Sequence, residues 1–295
     1  MTIPQTAATT ALLEAAAALL EAHPDYRVTR ALPSSDRFDL PEPIGKVRRA
    51  LVIDTETTSL DCISGKIIQI AACPVDFDAK ARIVAIGRTC SWTEDPGEPL
   101  SDEIVRLTGL ADADIAGTRI DDVAVAQLID DSVVIAAHNA GFDRAWWEAR
   151  FPASRAKPWM CSMREIDWRG HGQDSRQLGV LLDRVGGWFN ARHRADSDVD
   201  ALVALLTCSL PPGHRAFAEM MFTAARPTRR ITARGAPFSA KEALRARGYR
   251  WNARERAWQI EIAEAVSEAE LTWLAIDAAC PSPLIERVTW HERHR

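Results

Sequence analysis

The chain has 295 residues, with 36 lysines and arginines against 41 aspartates and glutamates, and a formal net charge of -5 at pH 7. Its hydrophobic fraction of 47% argues against wholesale disorder, and its acidic total is unlike that of a protein that binds nucleic acid along its whole surface. The six cysteines form no C-x-x-C pair, which argues against a zinc knuckle or a disulfide framework and fits a reducing cytoplasm. No apolar run approaches the roughly 20 residues of a membrane span, so we expect a cytoplasmic protein without membrane contact.

The first 45 residues are predicted to form a helical extension and a linker. The Ala/Leu-rich run 11–20 has the apolar character of a signal peptide, but no basic residue precedes it, and Glu14 and Glu21 interrupt it. We interpret it as a short amphipathic helix. Prolines, serines and glycine then dominate up to Lys46, where a folded domain is expected to begin.

The segment 46–212 has the pattern of an α/β domain. Short apolar runs predict strands at 50–53, 67–75, 83–90 and 133–137. A longer apolar period predicts helices at 104–107, 120–129, 140–150, 175–185 and 195–206. The first three strands follow one another without a helix, so antiparallel pairing is expected there. A mixed sheet flanked by helices follows.

The segment 213–295 is predicted to be a small basic α+β module. Between Ala225 and Ile260 the sequence has ten basic and two acidic residues, an excess of eight positive charges. Such a patch attracts phosphates independently of sequence. We therefore expect possible nucleic-acid binding by this module.

Two carboxylates, Asp54 and Glu56, come directly after the first strand of the domain. Open α/β sheets keep their ligands at the carboxyl ends of strands, and strand side chains two positions apart face the same side, so both can reach one cation. In isolation the signal is weak. With 41 acidic residues in the chain, a D-x-E triplet should arise by chance about once, and a solvated strand end is the alternative.

The run His138 to Asp143 again follows a hydrophobic strand where a helix should start. Asp143 would lie in the first helical turn. The alternative for Asp143 is an acid that complements the helix dipole, with Phe142 packed into the core.

A third polar cluster opens the helix predicted at 195–206. Asp198 flanks one edge of its apolar stripe, while Asp196 and Asp200 flank the other, so a single site can hardly use all three. His193 precedes the helix, where it would be free to approach a reacting group. The alternative for His193 is an exposed residue near the helix cap.

Four carboxylates in one pocket would repel one another unless divalent cations neutralised them: Asp54, Glu56, Asp143 and Asp198. Hard oxygen ligands select Mg²⁺ or Mn²⁺, and two such ions roughly 4 Å apart would clamp a phosphodiester. His193, with an ordinary pKa of about 6.5, could accept the proton of the attacking water near neutrality.

These three motifs resemble those of the DEDDh 3′–5′ exonucleases, a ribonuclease H-like family that includes the epsilon subunit of bacterial DNA polymerase III, oligoribonuclease and ribonuclease T. Order and spacing agree over roughly 46–210, and Leu107 to Leu110 is similar to the leucine-threonine-glycine turn of the family. The resemblance implies a mixed five-stranded ribonuclease H-like sheet. It also implies removal of nucleotides from a 3′ end as 5′-monophosphates.

The resemblance implies a role for each motif residue. Asp54, Glu56 and Asp198 would hold the first metal, Asp54 would share the second, and Asp143 would assist through water. His193 would be the general base. DNA is favoured as substrate by the likeness to epsilon-type proteins, with an exoribonuclease or oligoribonucleotide trimmer as the alternative. A catalytically inert nucleic-acid-binding scaffold is the competing hypothesis from another class.

The substrate contacts are predicted at two places. By resemblance, Thr57 and Leu60 would touch the terminal nucleotide, although Ser59 stands where the family commonly has glycine; His138 and Asn139 are further candidate contacts. In the basic module, the possible nucleic-acid contacts are Arg229, Arg230, Lys241, Arg250 and Trp251. An exposed Trp251 or Trp258 would stack on a base, whereas two tryptophans in paired strands often belong to a core.

Overall fold

The computed structural model describes residues 7–190 and 194–295. The helices are α1 Ala7–Glu21, α2 Asp102–Thr108, α3 Asp112–Ile115, α4 Asp122–Asp130, α5 Ala140–Arg150, α6 Leu178–Leu181, α7 Ala195–Thr207, α8 Ala216–Ala225, α9 Lys241–Ala246 and α10 Ser267–Ile276. The strands are β1 Arg30–Ala31, β2 Arg48–Thr57, β3 Ile67–Phe77, β4 Ile83–Ile86, β5 Cys90–Thr93, β6 Val134–Ala137, β7 Trp159–Cys161, β8 Trp188–Phe189, β9 Ser209–Leu210, β10 His214–Arg215, β11 Thr228–Ala233, β12 Arg250–Asn252, β13 Ala257–Ala263 and β14 Leu284–Val288. Short 3-10 turns lie at Ser35–Arg37, Pro152–Ala156, Phe238–Ala240 and Glu264–Val266, and a π-helical turn at Leu182–Gly186.

A mixed sheet forms the centre of the fold, as expected. Its strand order is β4-β3-β2-β6-β7, with β5 paired to β3 beside β4. The pairs β2–β3 and β3–β4 are antiparallel, whereas β2–β6 and β6–β7 are parallel. This is the α/β arrangement of a mixed sheet flanked by helices that the sequence predicted.

The predicted strand 83–90 is divided into β4 and β5. Ile86 is the partner of Val75 and Cys90 is the partner of Ala72, so Pro74 lies opposite the break. Proline has no amide hydrogen to continue a ladder. The chain therefore bulges at Gly87, whose amide donates to the Pro74 carbonyl at 2.8 Å.

The sheet is buried on both faces, which explains the apolar run in β2. Ala50 and Val52 belong to a core covered by α7 and α8, while Leu51 and Ile53 belong to a second core covered by α4 and α5. Near-continuous apolar runs are typical of strands covered on both sides. The same alternation decides on which face the polar residues that follow Ile53 must lie.

Helix α8 packs with the large sheet. The rings of Phe77 and Phe217 lie 5.3 Å apart, and Met220 and Met221 are buried in the same core as β2. The sequence-based division at residue 212 assigned this helix to the C-terminal module, because the double proline marks a stop. The packing instead places the change of unit after Ala225.

The C-terminal unit is a four-stranded sheet with α9 and α10 on one face. Its strand order is β12-β13-β11-β14, with every pair antiparallel. Its core includes Ile231, Leu244, Tyr249 and Leu274. This agrees with the predicted α+β module. Among the described residues, no helix is both long enough and apolar enough to cross a membrane.

The last residues of the chain return to the large unit. The Trp159 amide donates to the Trp290 carbonyl at 2.9 Å, and the buried Arg144 side chain donates to the His291 and Arg293 carbonyls, each at 2.5 Å. Arg293 in turn lies 3.2 Å from buried Glu165. These polar contacts join the two units.

Candidate active site

Strand β2 presents Asp54 and Glu56 on one face of the large sheet. The strand continues to Thr57, so both carboxylates lie among its last residues that pair with β3. By alternation they share the face of Ala50 and Val52, which α7 covers. Thr55 points to the other face, where its hydroxyl accepts a hydrogen bond from the Trp147 indole at 2.8 Å.

Helix α7 supplies the third carboxylate. One oxygen each from Asp54, Glu56 and Asp198 lies within 4.8 Å of the others. The Asn190 amide donates to Asp198 at 3.3 Å and to the Ser197 carbonyl at 3.1 Å, which fixes the start of the helix relative to the loop before it. Two segments more than 140 residues apart in sequence therefore meet at the sheet.

The neighbouring aspartates of α7 point elsewhere, as the helical spacing predicted. Asp196 lies 3.6 Å from the Arg194 guanidinium and 3.5 Å from the Gln69 amide. Asp200 accepts a hydrogen bond from Thr89 at 2.5 Å. Only Asp198 of the three joins the carboxylate cluster.

Asp143 stands beside this cluster on the first turn of α5. The helix begins after Asn139, whose left-handed backbone (φ 66°) turns the chain from β6 into the helix. The Asp143 side chain is buried, and its Oδ1 atom has no hydrogen-bond partner among the described residues. An orphaned buried carboxylate oxygen is costly, and a cation would satisfy it.

The electrostatics of the site follow from burial and like charge. Burial, followed by the charges of Asp143, Glu56 and Asp198, raises the pKa of Asp54 well above its usual value. Burial and the charge of Asp198 raise the pKa of Glu56 to about 7, although nearby Arg194 opposes the shift. Burial raises the pKa of Asp143 to about 8, against hydrogen bonding from Thr55. The part of the chain that the structure describes places too little positive charge beside these groups to hold them ionised.

These donors fit a divalent cation. All are carboxylate oxygens, the ligands that Mg²⁺ and Mn²⁺ prefer, and three of them converge within reach of one ion. A bound cation lowers the pKa of the carboxylates around it, because it favours their ionised form. The site is therefore built to be completed by metal.

A cavity of about 520 Å³ opens beside the carboxylates. Asp54 and Asp198 line one side, and Met163 and the segment 176–179 line the other. His138 completes the wall. This volume lies within the range of roughly 300–1,000 Å³ that is usual for small-ligand sites.

The His138 ring is held by two hydrogen bonds. Nε2 lies 2.8 Å from the Arg176 carbonyl, which can only accept, so this nitrogen carries the proton. Nδ1 then accepts from the Ser162 hydroxyl at 2.7 Å. Burial lowers the pKa of His138 to about 4, so the ring is neutral at physiological pH. The His138 ring is thus a fixed part of the cavity wall, and neither of its nitrogens is free to hydrogen-bond a substrate.

A family model described as exonuclease, of the RNase T type, matches residues 51–206. The chain belongs to this exonuclease family. The match includes Asp54, Glu56, Asp143 and Asp198, so the carboxylate cluster lies within the family domain, and the protein is a nuclease of a family that uses divalent metal ions. The C-terminal unit lies outside the match.

Curated relatives of the exonuclease segment include the PolC-type DNA polymerase III of Streptococcus suis, 31% identical over 172 residues. That alignment covers 53% of this chain and 11% of the relative, so the chain spans about a tenth of the polymerase's length. Solved structures similar to the chain include exonuclease X in complex with 5′ overhanging duplex DNA, at 24% identity and a TM-score of 0.40, covering 54% of this chain and 89% of that one. Another is Escherichia coli exonuclease I with a dA16 oligonucleotide, at 16% identity and a TM-score of 0.43, covering 62% and 48%.

The structure places the remaining predicted residues of the exonuclease domain unequally. Leu60 is 88% exposed on a loop at the end of β2, free to touch a ligand. Thr57 is buried and donates its hydroxyl to the Ser59 carbonyl at 2.6 Å, and Ser59 does not adopt a left-handed backbone. Asn139 is exposed at the helix start. His193 lies outside the described residues.

The loop that carries Leu60 is closed tightly at its base. The Thr58 amide donates to the Lys66 carbonyl at 2.9 Å, and the Lys66 amide returns a bond to the Thr58 hydroxyl at 2.9 Å. A Cβ atom at Gly65 would lie 2.7 Å from Ser59 and 2.8 Å from Trp146. Only glycine fits there, so the loop projects Leu60 from a rigid base.

The predicted contacts of the C-terminal unit divide into two groups. Arg229 is paired with Glu264, and Arg230 lies 3.5 Å from Glu261, so these charges are largely neutralised within the protein. Lys241 and Trp251 instead line a separate cavity. Arg250 is exposed next to Trp251 on β12, and alternation directs it to the opposite face.

Sequence reasoning missed Ser162 and Arg176, which hold His138. Ser162 is the first residue after β7, and polar residues that follow parallel strands meet at one sheet edge. The rule that identified Asp54 and His138 would have identified it. Arg176 acts through its backbone carbonyl, for which side-chain chemistry gives no signal.

Proposed function

We propose that this exonuclease removes nucleotides one at a time from the 3′ end of DNA and releases nucleoside 5′-monophosphates. The observation that carries the proposal is the convergence of Asp54, Glu56 and Asp198 within 4.8 Å beside buried Asp143, whose Oδ1 atom has no hydrogen-bond partner among the described residues. The match to a segment of PolC-type proteins, which are named as DNA polymerases, favours DNA over RNA. A 3′ direction follows from the resemblance of the motifs to the DEDDh pattern.

Two divalent cations held by the four carboxylates would neutralise the charge of the scissile phosphate and of the departing oxygen. Asp54 lies within electrostatic reach of both Asp143 and Asp198, so it would be the carboxylate common to the two ions. Glu56 and Asp198 would complete one ion site, and Asp143 would serve the other. Mg²⁺ or Mn²⁺ suits this all-oxygen donor set.

The chain's own groups position the nucleotide and move the proton. The terminal nucleotide occupies the cavity that His138 and the segment 176–179 enclose, with Leu60 against its exposed side. His193 accepts a proton from the attacking water, whose oxygen bonds to phosphorus. The bond from phosphorus to the 3′ oxygen of the preceding nucleotide breaks, and that oxygen takes a proton from solvent. The products are a 5′-monophosphate and a strand shorter by one nucleotide.

The experiment uses strands labelled at the 5′ end, as single-stranded, blunt and 3′-recessed DNA and the matching RNA. Wild-type protein with Mg²⁺ is expected to give a ladder that shortens from the 3′ end on DNA, and EDTA to abolish it. Asp143→Ala is expected to leave the strand intact.

A matched control keeps the test specific to the cluster. Asp198→Asn and Asp200→Asn are isosteric changes two residues apart on α7, and only Asp198 belongs to the cluster. We expect loss of activity in the first and near wild-type activity in the second. Cuts within the strand, activity without metal, or an active Asp143→Ala variant would refute the proposal, and faster trimming of RNA would assign the substrate to RNA.

A further inference from the structure

The C-terminal unit contains a cavity of about 500 Å³ that no part of the exonuclease domain lines. Its walls come from the segment between β11 and α9 and from the hairpin of β12 and β13. Three aromatic rings and three cationic side chains surround it: Phe238, Trp251, Trp258, Lys241, Arg245 and Arg256. We propose that this cavity binds a single-stranded segment of nucleic acid, with bases stacked on the aromatic rings and phosphates against the cations.

The aromatic rings are presented to solvent. Phe238 is 87% exposed and Trp251 is 53% exposed, although large apolar side chains usually bury most of their surface. Trp258 is different, because it is half-buried and packs against the core of the unit. Trp251 meets it edge to face at 5.8 Å. Trp258 is therefore fixed by the core, and its contact with Trp251 orients the Trp251 ring so that part of that ring stays exposed.

The backbone fixes this presentation. Trp251 and Trp258 are directly paired across β12 and β13, so both side chains leave the same face of the sheet. Asn252 shapes the turn that follows, since its side chain accepts from the Glu255 amide at 3.0 Å and donates to Gln259 at 2.8 Å. The turn ends at Arg256 with a left-handed backbone (φ 50°). A preorganised platform loses little conformational freedom on binding.

The cations at the rim are available to a phosphate. Among the described residues, no carboxylate lies within ion-pair distance of Arg256. Lys241 and Arg245 share Glu242, at 3.9 and 3.4 Å, and the Glu242 side chain is 72% exposed. Exposed ion pairs of this kind contribute little to stability, so a phosphate can displace Glu242.

A nucleic-acid strand matches this surface better than an acidic peptide. Lys241 lies 5.7 Å from the centre of the Phe238 ring, so a cation and an aromatic ring are neighbours at this cavity. A strand likewise offers flat bases beside charged phosphates, and aromatic stacking tolerates any base. An acidic peptide would use the cations and leave the exposed faces of Phe238 and Trp251 without a partner.

Binding is tested by fluorescence anisotropy of a labelled oligodeoxythymidine of about 20 nucleotides, long enough to exceed one binding site. EDTA is present, so that no cleavage is needed and failure of the exonuclease proposal would leave this test intact. The double variant Trp251→Ala, Phe238→Ala is expected to weaken binding roughly 5- to 100-fold at unchanged salt dependence. Trp251→Phe, which keeps an aromatic face, should retain most of the affinity.

The cations are tested by the salt dependence of the same affinity. Arg256→Ala is expected to lower the slope of log affinity against log salt by about 0.7, the value for one phosphate contact on a single strand. Arg287→Ala removes an exposed arginine from the opposite edge strand β14 and should leave the slope unchanged. Oligouridine in place of oligodeoxythymidine then distinguishes RNA from DNA as the strand.

Three results would overturn the inference. The first is wild-type affinity in the Trp251 and Phe238 double variant, and the second is an equal loss of slope in Arg256→Ala and Arg287→Ala. The third is displacement of the strand by polyglutamate as readily as by unlabelled strand, which would assign the cavity to an acidic peptide. With Mg²⁺, the double variant should degrade a trinucleotide at the wild-type rate and a long strand more slowly.

Discussion

The carboxylate centre and the C-terminal unit differ in how the fold arranges their charges. At the centre, Asp54, Glu56 and Asp198 are brought together, and Arg194 is the one described cation that opposes the pKa shift of Glu56. In the C-terminal unit, a strongly basic segment is folded so that four of its nine arginines meet a glutamate from elsewhere in the unit: Arg229, Arg230, Arg234 and Arg247. A site is therefore indicated by like charges that a fold brings together, and the charge summed over a segment is a poor guide.

The largest effect is expected when one carboxylate of the cluster is removed. Asp54→Asn keeps the shape of the side chain but removes the carboxylate that interacts with both Asp143 and Asp198. Since metal-supported charge stabilisation contributes several kcal/mol to such reactions, we expect single-turnover cleavage with Mg²⁺ to fall by roughly a thousandfold or more. Thr89→Val, which alters the partner of Asp200 outside the cluster, should change the rate by less than about threefold. A comparable rate in both variants would contradict the proposed role of the cluster.

A paired charge should matter for stability instead. Arg293 is buried and contacts Glu165 at 3.2 Å and Glu261 at 3.1 Å, so Arg293→Ala leaves a buried carboxylate short of its partner. Breaking such a pair costs about 3–5 kcal/mol. Arg295 lies 3.3 Å from Glu148 but is 45% exposed, and its loss should cost about 0–1 kcal/mol. Urea unfolding at neutral pH measures the free energy of unfolding of both variants. Equal decreases would show that the Arg293 contacts do not stabilise the packing between the two units.

The carboxylate centre should destabilise the protein when metal is absent. Asp143 has a pKa of about 8 in the folded chain, against an ordinary value of 3.8. The group holds its proton when folded and loses it when unfolded, so its unfavourable contribution grows as pH rises from about 4 to 8 and is constant above that. Asp143→Asn lacks this contribution.

In EDTA, Asp143→Asn should therefore have a higher Tm than the wild type, with a difference that increases through this pH range. Each kcal/mol corresponds to about 2–4 °C in a domain of this size. With saturating Mg²⁺ the order should reverse, because only the wild type gains the full metal-binding energy. Thermal melts at pH 5, 7 and 9 make the comparison, and a difference independent of pH would be inconsistent with the buried, protonated carboxylate.

Local sequence patterns predict part of the fold and part of the candidate site. The strand pattern follows from local periodicity, and the structure agrees. The alternation that puts Asp54 and Glu56 on one face is equally local. Helical spacing separates Asp198 from Asp196 and Asp200, but the choice of Asp198 follows from the resemblance to the DEDDh motifs. Burial of Asp143 does not follow locally, because it depends on how α5 docks on β2, where Trp147 of the helix donates to Thr55 of the strand.

The remaining discrepancies have non-local causes. The window that indicated a basic patch ended at Ile260, whereas Glu261 and Glu264, which neutralise Arg230 and Arg229, lie just beyond it. Pairing between strands separated by about thirty residues leaves no local signal. The apolar face of α8 is the signal that would have corrected the boundary at residue 212.

The smallest effect is expected from the glutamate that pairs with the cations of the aromatic cavity. Glu242→Gln frees Lys241 and Arg245 from an exposed carboxylate, converting paired charge into unpaired charge beside the aromatic cavity. Stability should change by no more than about 1 kcal/mol, since the pairs are solvated. Affinity for single-stranded oligonucleotide should rise by roughly two- to fivefold at low salt, and the gain should disappear as screening increases. Gln259→Glu would add a negative charge beside Arg250 on the other face of the sheet and should leave the affinity nearly unchanged. If both substitutions shift the affinity by equal and opposite amounts, the strand responds to the net charge of the unit, and the cavity has no special part in binding.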